Sequence, residues 1–304
     1  MVTTIVFWNT LHLSNRTDEI ERYCARELDS GRAKARRGNA RRKRMGGGPI
    51  TRGKFRSFKA GNSSKSKGPK GIQKPIHHTK PNRAERAEMR DIEANDRAQR
   101  IHRRYRRKLA YAKDLPRRND YVFYSEVMPS YPNWQSPLAA GAGHTPNTLG
   151  YYFAHNNVGG ALPLCPISNG DIPPPSKPIS RRPKGVVING VHFFFWHAKA
   201  KASYANVVAE VFTELHNWLH PTPFVLLGDL NALPSKVSGH GVPINLFLKC
   251  GSATHQGGKE LDYAITNVPG RFSGSNCEKY NNLSPGNFKD LTGSDHVPMI
   301  LRLK

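Results

Sequence analysis

Cysteine is scarce in this chain: four in 304 residues, at 24, 165, 250 and 277, with no Cys-x-x-Cys pair. That spacing offers neither a zinc ribbon nor a disulfide framework. Cys24 lies on an apolar helix face and Cys165 in an apolar run, so both read as core packing. Long apolar runs are missing as well. None approaches the ~18 residues that cross a bilayer, so no membrane span is expected. The opening residues, Met1 to Trp8, lack the basic n-region and small-residue cleavage site of a Sec signal and read instead as a first strand. The expected setting is inside the producing cell, or delivery by a non-Sec route. Acidic residues are the third shortage, with 22 Asp and Glu against 47 Lys and Arg, a net charge of +25.

That excess is not spread evenly. Residues 31–120 hold 30 of the basic and 7 of the acidic residues, a net of +23, and the other 214 are near neutral at +2. The pattern is a globular body (1–30 and 120–304) carrying a basic insertion (31–119), and such density points to a polyanionic partner: nucleic acid first, anionic lipid second. Residues 31–81 are Gly, Ser, Lys, Arg and Pro with isolated Phe55 and Phe58, too little to repay the entropy of ordering, and are expected to be disordered. Their densest basic run is Arg41, Arg42, Lys43 and Arg44. Residues 82–115 turn helical, with Met89, Ile92, Ile101, Tyr105 and Leu109 at helical spacing. Arg103, Arg104, Arg106, Arg107 and Lys108 line the other side, and Pro116 is expected to stop the helix. The basic runs also read as nuclear-targeting signals.

Against this background one stretch stands out. Phe224 to Leu227 form an apolar run fit for a strand buried on both faces. Gly228 frees the backbone, and Asp229 and Asn231 follow two apart, on one side of an extended segment. A carboxylate beside an amide suits a water held against a phosphate. An ordinary Asx turn at a strand end gives the same two residues. Other polar groups end or open hydrophobic runs in the same way: Asn9 after Ile5–Trp8, Glu126 after Tyr121–Ser125, His197 after Val191–Trp196, Asp262 before Tyr263–Ile265, and Asp295-His296 before the last strand. An amphipathic helix over Ser203–Leu219 feeds the Phe224 strand, which implies α/β layers.

The ordered set Asn9, Glu126, His197, Gly228-Asp229-Leu230-Asn231, Leu261-Asp262-Tyr263 and Ser294-Asp295-His296-Val297-Pro298 resembles the DNase I-like endonuclease/exonuclease/phosphatase superfamily. Within it, Tyr151-Tyr152, Val158-Gly159-Gly160, Ser180–Pro183 and the aromatic run ending at His197 are most similar to the cytolethal distending toxin B subunits, over about 1–30 and 120–304. The resemblance implies a four-layer α/β/β/α sandwich with the basic segment as an insertion. It also implies a metal-dependent phosphodiesterase, here a DNA endonuclease with little sequence specificity. Glu126, with Asp295 and Asn9, would hold Mg²⁺ or another divalent cation. Asp229 and Asn231 would orient water and phosphate, His296 oriented by Asp262 would act at the scissile phosphate, and His197 would be the second catalytic histidine. Arg182 takes the place of a phosphate-contacting Arg, while His155 stands where the subfamily has another.

The same site chemistry serves a phosphoinositide phosphatase, and a basic protein with an inactive site would remain a nucleic-acid-binding module. DNA is the expected partner, with RNA or a phosphoinositide as alternatives. Protein partners and oligomeric state are not legible.

Overall fold

The structure, a computed structural model, describes residues 2–14, 16–44, 83–128, 150–155, 165–167, 182–200, 204–277 and 294–304. Two compact units divide the chain: Met1–Ile20 with His102–Lys304, and Glu21–Ile101.

In the first unit, strand periodicity builds the layers. β1 (Thr3–Leu13) sends Ile5 and Phe7 to one core cluster and Val6 and Trp8 to another, as the alternation of side chains along a strand requires. β2 (Tyr121–Val127) does the same with Tyr121 and Phe123 against Val122 and Tyr124. A sheet buried on both faces explains why these runs are apolar throughout rather than alternating. β3 (Gly150–His155), β10 (Phe272–Cys277) and β11 (Met299–Leu303) complete a five-stranded sheet in the order β10-β11-β1-β2-β3, with β1 parallel to β2 and antiparallel to β11. The second sheet comprises β4 (Cys165–Ile167), β5 (Lys184–Ile188), β6 (Val191–His197), β7 (Phe224–Asp229), β8 (Phe247–Leu248) and β9 (Asp262–Thr266), in the order β4-β5-β6-β7-β9-β8.

The sheets face each other. Phe123 of β2 stacks on Phe195 of β6, and each such ring taken out of water contributes about 2 kcal/mol. Two helices, α1 (Thr17–Arg44) and α2 (Arg83–Arg118), lie between β1 and β2 in sequence, and α3 (Ala205–Leu219) and the short α4 (Pro234–Ser238) flank β7. The outer face of the second sheet takes α3, where Phe212 meets Phe224 and Trp218 meets Phe194. Trp218 itself is 38% exposed. The outer face of the first sheet takes Ala112 and Leu115 of α2, packed with Val6, Trp8, Val122 and Tyr124. The layers are therefore α/β/β/α, the sandwich that the sequence resemblance implies.

Three local expectations need correction. Residues 31–44, expected to be disordered, instead continue helix α1 to Arg44, because their Ala, Arg and Lys are strong helix formers and the two interior glycines, Gly31 and Gly38, each cost only about 1 kcal/mol. The expectation of disorder for 45–81, with Phe55 and Phe58, lies outside the described residues. Pro116 does not stop α2, which continues to Arg118. A proline at 116 has no N–H for the Ala112 carbonyl, and the Tyr124 hydroxyl donates to that carbonyl at 2.6 Å instead. Lys108 does not share the exposed basic face: it is fully buried, and its Nζ donates to the Leu11 carbonyl at 2.5 Å. Residues 102–118 thus belong to the body by contact, although the charge pattern groups them with the insertion. Glu21–Ile101 forms the second unit, in which Tyr23 and Cys24 are buried.

Among the described residues no helix is long and apolar enough to cross a membrane.

Candidate active site

Strand register assembles the site. His197 pairs with Asp229 across β6 and β7, and Asp229 with Asp262 across β7 and β9, so three polar residues stand in one row at the edge of the second sheet. In the first sheet Asn9 pairs with Ser125, next to Glu126. The two edges meet where Asn9 Nδ2 donates to Asp229 Oδ2 at 2.8 Å.

His296 lies at the centre. Its Nδ1 is 2.7 Å from Asp262 Oδ2, and its Nε2 is 3.6 Å from Asp229 Oδ2 and 4.0 Å from Asp295 Oδ1. His197 Nε2 is 3.6 Å from both Glu126 Oε1 and Asp229 Oδ2. This places a carboxylate on each side of His197, the acidic company that the sequence did not reveal.

Buried charges give the group its electrostatics. Burial raises Asp229 to about 6, helped by the Asp262 charge and opposed by His296 and the hydrogen bonds from Asn9 and Asn231. Burial would lower His296, but Asp262 and Asp229 outweigh it and raise the imidazole to about 10. Burial also opposes ionisation of Asp295, yet the His255 hydrogen bond and the neighbouring histidine charges hold it down at about 2. The imidazole is thus cationic between carboxylates at neutral pH.

The backbone is held in uncommon conformations here. Four of the five described non-glycine residues with positive φ lie around the site: Leu11 (51°), His12 (64°), Glu126 (57°) and Asn231 (51°). Glu126 sits where the β2–β3 register shifts, a bulge that re-aims its side chain. Asn231 does not reach its place by extended alternation. Its N–H donates to Asp229 Oδ1 at 3.1 Å, an Asx turn, and its Nδ2 donates to the Ala198 carbonyl at 2.9 Å. Gly228 is needed for a different reason than freedom of the backbone: a Cβ there would lie 1.8 Å from the Trp196 carbonyl oxygen.

Several expected residues stay apart from this group. Arg182 is half-buried just before β5, and no contact among the described residues joins it to the site. His155 pairs with Tyr121, at the opposite end of β2 from Glu126, so the place of the second phosphate-contacting Arg is not at this rim. Arg103, Arg106 and Arg107 are exposed on α2 and Arg104 is half-buried. Arg41, Arg42, Lys43 and Arg44 close α1, with their side chains outside the description.

Hydrogen bonds from neighbouring residues hold the site together. Ser294 Oγ donates to the Asn9 carbonyl at 2.8 Å and accepts the His296 N–H at 3.1 Å. Thr254 Oγ1 accepts the N–H groups of Leu261 and Asp262. Trp8 Nε1 donates to the His296 carbonyl. His255 Nε2 stands 3.6 Å from Asp295 Oδ2, and its Nδ1 accepts the Gly257 N–H at 2.9 Å. The only sequence signal for His255 is a histidine in a Gly-rich turn shortly before Leu261-Asp262.

Two donor sets among the described residues could hold a metal ion: His255, Asp295 and His296, and Asp229, Asp262 and His296. Neither contains Glu126. Asp295 Oδ1, buried and without a hydrogen-bond partner among the described residues, is an oxygen that a hard cation would satisfy.

No established family profile matches this chain, and no curated protein does. Among solved structures it is similar to CdtB, the biologically active subunit of cytolethal distending toxin, at 16% identity over 61% of this chain and 85% of that one, TM-score 0.42. It is also similar to the human Nocturnin catalytic domain with bound sulfate, at 14% identity over 65% and 86% of the two chains, TM-score 0.40. A third is truncated Caenorhabditis elegans TDP2, at 14% identity over 65% and 89%, TM-score 0.44. Functional roles therefore rest on this chain's own residues.

Proposed function

We propose that this chain is a Mg²⁺-dependent phosphodiesterase that cuts DNA internally with little sequence specificity. The observation that carries the reading is His296, held cationic between Asp262 and Asp229 at a rim that Asn9 reaches from the opposite sheet. Hydrolysis of a phosphodiester needs a proton acceptor for water, positive charge at the phosphate and a proton for the leaving oxygen. Asp229, with its pKa raised to about 6, accepts the proton of the attacking water, steadied by Asn9 and the Asn231 turn. His296 presents its Nε2 proton to a non-bridging oxygen. His197, between Glu126 and Asp229, serves the leaving oxygen. Glu126, Asp295 and Asn9 are the oxygen donors suited to Mg²⁺, and such an ion offsets charge that builds on the phosphate.

The preference for DNA is supported by charge. Residues 31–120 carry a net +23, and Arg103, Arg106 and Arg107 are exposed on α2. Sequence-independent attraction of this kind supplies backbone affinity without base recognition. Plasmid DNA, RNA and a phosphoinositide, each incubated with the protein in Mg²⁺ and in EDTA, test the reading. Nicking of the plasmid in Mg²⁺ alone is expected. Phosphate release from the lipid without nicking makes the chain a phosphoinositide phosphatase. Gel-shift binding of DNA without hydrolysis of any substrate makes it a binding module.

A further inference from the structure

Between Asn9 and Leu13 the register of β1 against β2 shifts, and the strand kinks. Leu11 and His12 are consecutive residues in the left-handed region, at φ 51° and 64°, where neither has the glycine that would make such a turn easy. Two side chains of α2 hold that kink. Tyr105 is 1% exposed; its hydroxyl accepts the Ser14 N–H at 2.5 Å and donates to the His12 carbonyl at 2.8 Å. Lys108 is fully buried, donates from Nζ to the Leu11 carbonyl at 2.5 Å, and lies 4.7 Å from the centre of the Tyr105 ring. Burying a lysine amine costs free energy that its hydrogen bonds must offset. A packing role alone would be met by leucine or methionine.

The kink leads directly to the site. The Leu11 N–H donates to Asn9 Oδ1 at 3.2 Å, which turns Asn9 Nδ2 toward Asp229. Thr10 Oγ1 donates to the Ser125 carbonyl at 2.7 Å and approaches the Glu126 carbonyl at 3.2 Å, so the same turn also holds the bulge that carries Glu126.

We infer that Tyr105 and Lys108 are positioning residues: through the left-handed turn at Leu11 and His12 they set Asn9 against Asp229. The inference rests on the site reading above for its catalytic meaning, but the coupling of α2 to Asn9 is physical and can be measured without any substrate. The basic helix then does more than present charge to a polyanion. Its buried side completes the site from behind, while Arg103, Arg106 and Arg107 are exposed on its other side.

The test reads the Asn9 side-chain amide by ¹H–¹⁵N correlation spectroscopy, assigned with Asn9→Ala, in the metal-free protein. Tyr105→Phe and Lys108→Met are compared with Leu115→Ala, a cavity variant in the same helix. The Asn9 amide protons should exchange with solvent at least tenfold faster in Tyr105→Phe and Lys108→Met, and at the wild-type rate in Leu115→Ala. If Lys108→Met does not fold, Tyr105→Phe, which removes only an oxygen, decides the matter. An Asn9 amide that exchanges as in wild type in the folded Tyr105 and Lys108 variants overturns the inference, as does equal acceleration in Leu115→Ala. In a DNA assay the inference expects kcat to fall at least tenfold in Tyr105→Phe with KM within twofold. A wild-type protein with no hydrolytic activity contradicts the proposed function and leaves the amide result standing.

Discussion

His296 and Asp262 stand 34 positions apart in the chain, yet Nδ1 of one is 2.7 Å from Oδ2 of the other. The Asp262 carboxylate orients the ring and favours its charged form, so Nε2 faces Asp229 as a proton donor. Asp262→Asn keeps the shape and removes the charge. Its hydrolysis of DNA in Mg²⁺ should fall by about 10² to 10⁴, the usual size of an acid–base contribution, with KM little changed. Steady-state kinetics on a nicking substrate checks this.

The pKa shifts predict how metal-free stability varies with pH. His296 is raised from 6.5 to about 10, so the stability it contributes is fully present below about 6.5 and is lost as pH rises toward 10. Asp229 is raised from 3.8 to about 6, so the unfolded chain releases that proton first and the fold weakens between about 4 and 6. Both act in the same direction. Urea midpoints in EDTA should fall as pH rises from 7 to 9, and His296→Gln should flatten that decline.

Gly228→Ala should prevent normal folding. A Cβ 1.8 Å from the Trp196 carbonyl oxygen can be relieved only by parting β6 from β7, the strands that bring His197 beside Asp229. A loss of about 3 kcal/mol or more is expected, at the upper end for overpacking. Denaturant unfolding measures it.

The arginines of α2 make a separate prediction. Arg103, Arg106 and Arg107 are exposed, away from the buried contacts of Tyr105 and Lys108. Replacing all three by Gln should raise KM for DNA and leave kcat nearly unchanged, as loss of uniform binding does. The slope of log affinity against log salt should lessen by about 0.9 for each phosphate that is no longer neutralised. Binding measured across a salt series reads both.

The layers and the rim were legible because apolar runs with polar ends translate directly into strands and their edges. Asn9, Glu126, His197, Asp229, Asp262 and His296 could each be read that way, and the structure gathers them at one rim. What held them there was not legible. Thr254 and His255 act through hydrogen bonds to backbone groups that no spacing announces, and the place of Ser294 beside Asp295-His296 does not tell that its hydroxyl reaches the Asn9 carbonyl. Lys108 looked like one more solvated cation in a basic run, because composition does not say which side of a helix is covered. Pro116 looked like a stop, because the hydroxyl that takes over the Ala112 carbonyl lies on another element. Gly228 looked like a flexible turn, whereas its role depends on how closely β6 approaches.

The most direct test of the central claim is plasmid nicking by the wild-type protein and by His296→Ala, in Mg²⁺ and in EDTA. If His296 is the cationic group at the phosphate, the wild type nicks in Mg²⁺, stops in EDTA, and the variant is at least 100-fold slower, about 2.7 kcal/mol of lost transition-state stabilisation. A His296→Ala protein that nicks as fast as wild type would contradict the assignment of this rim as the active site.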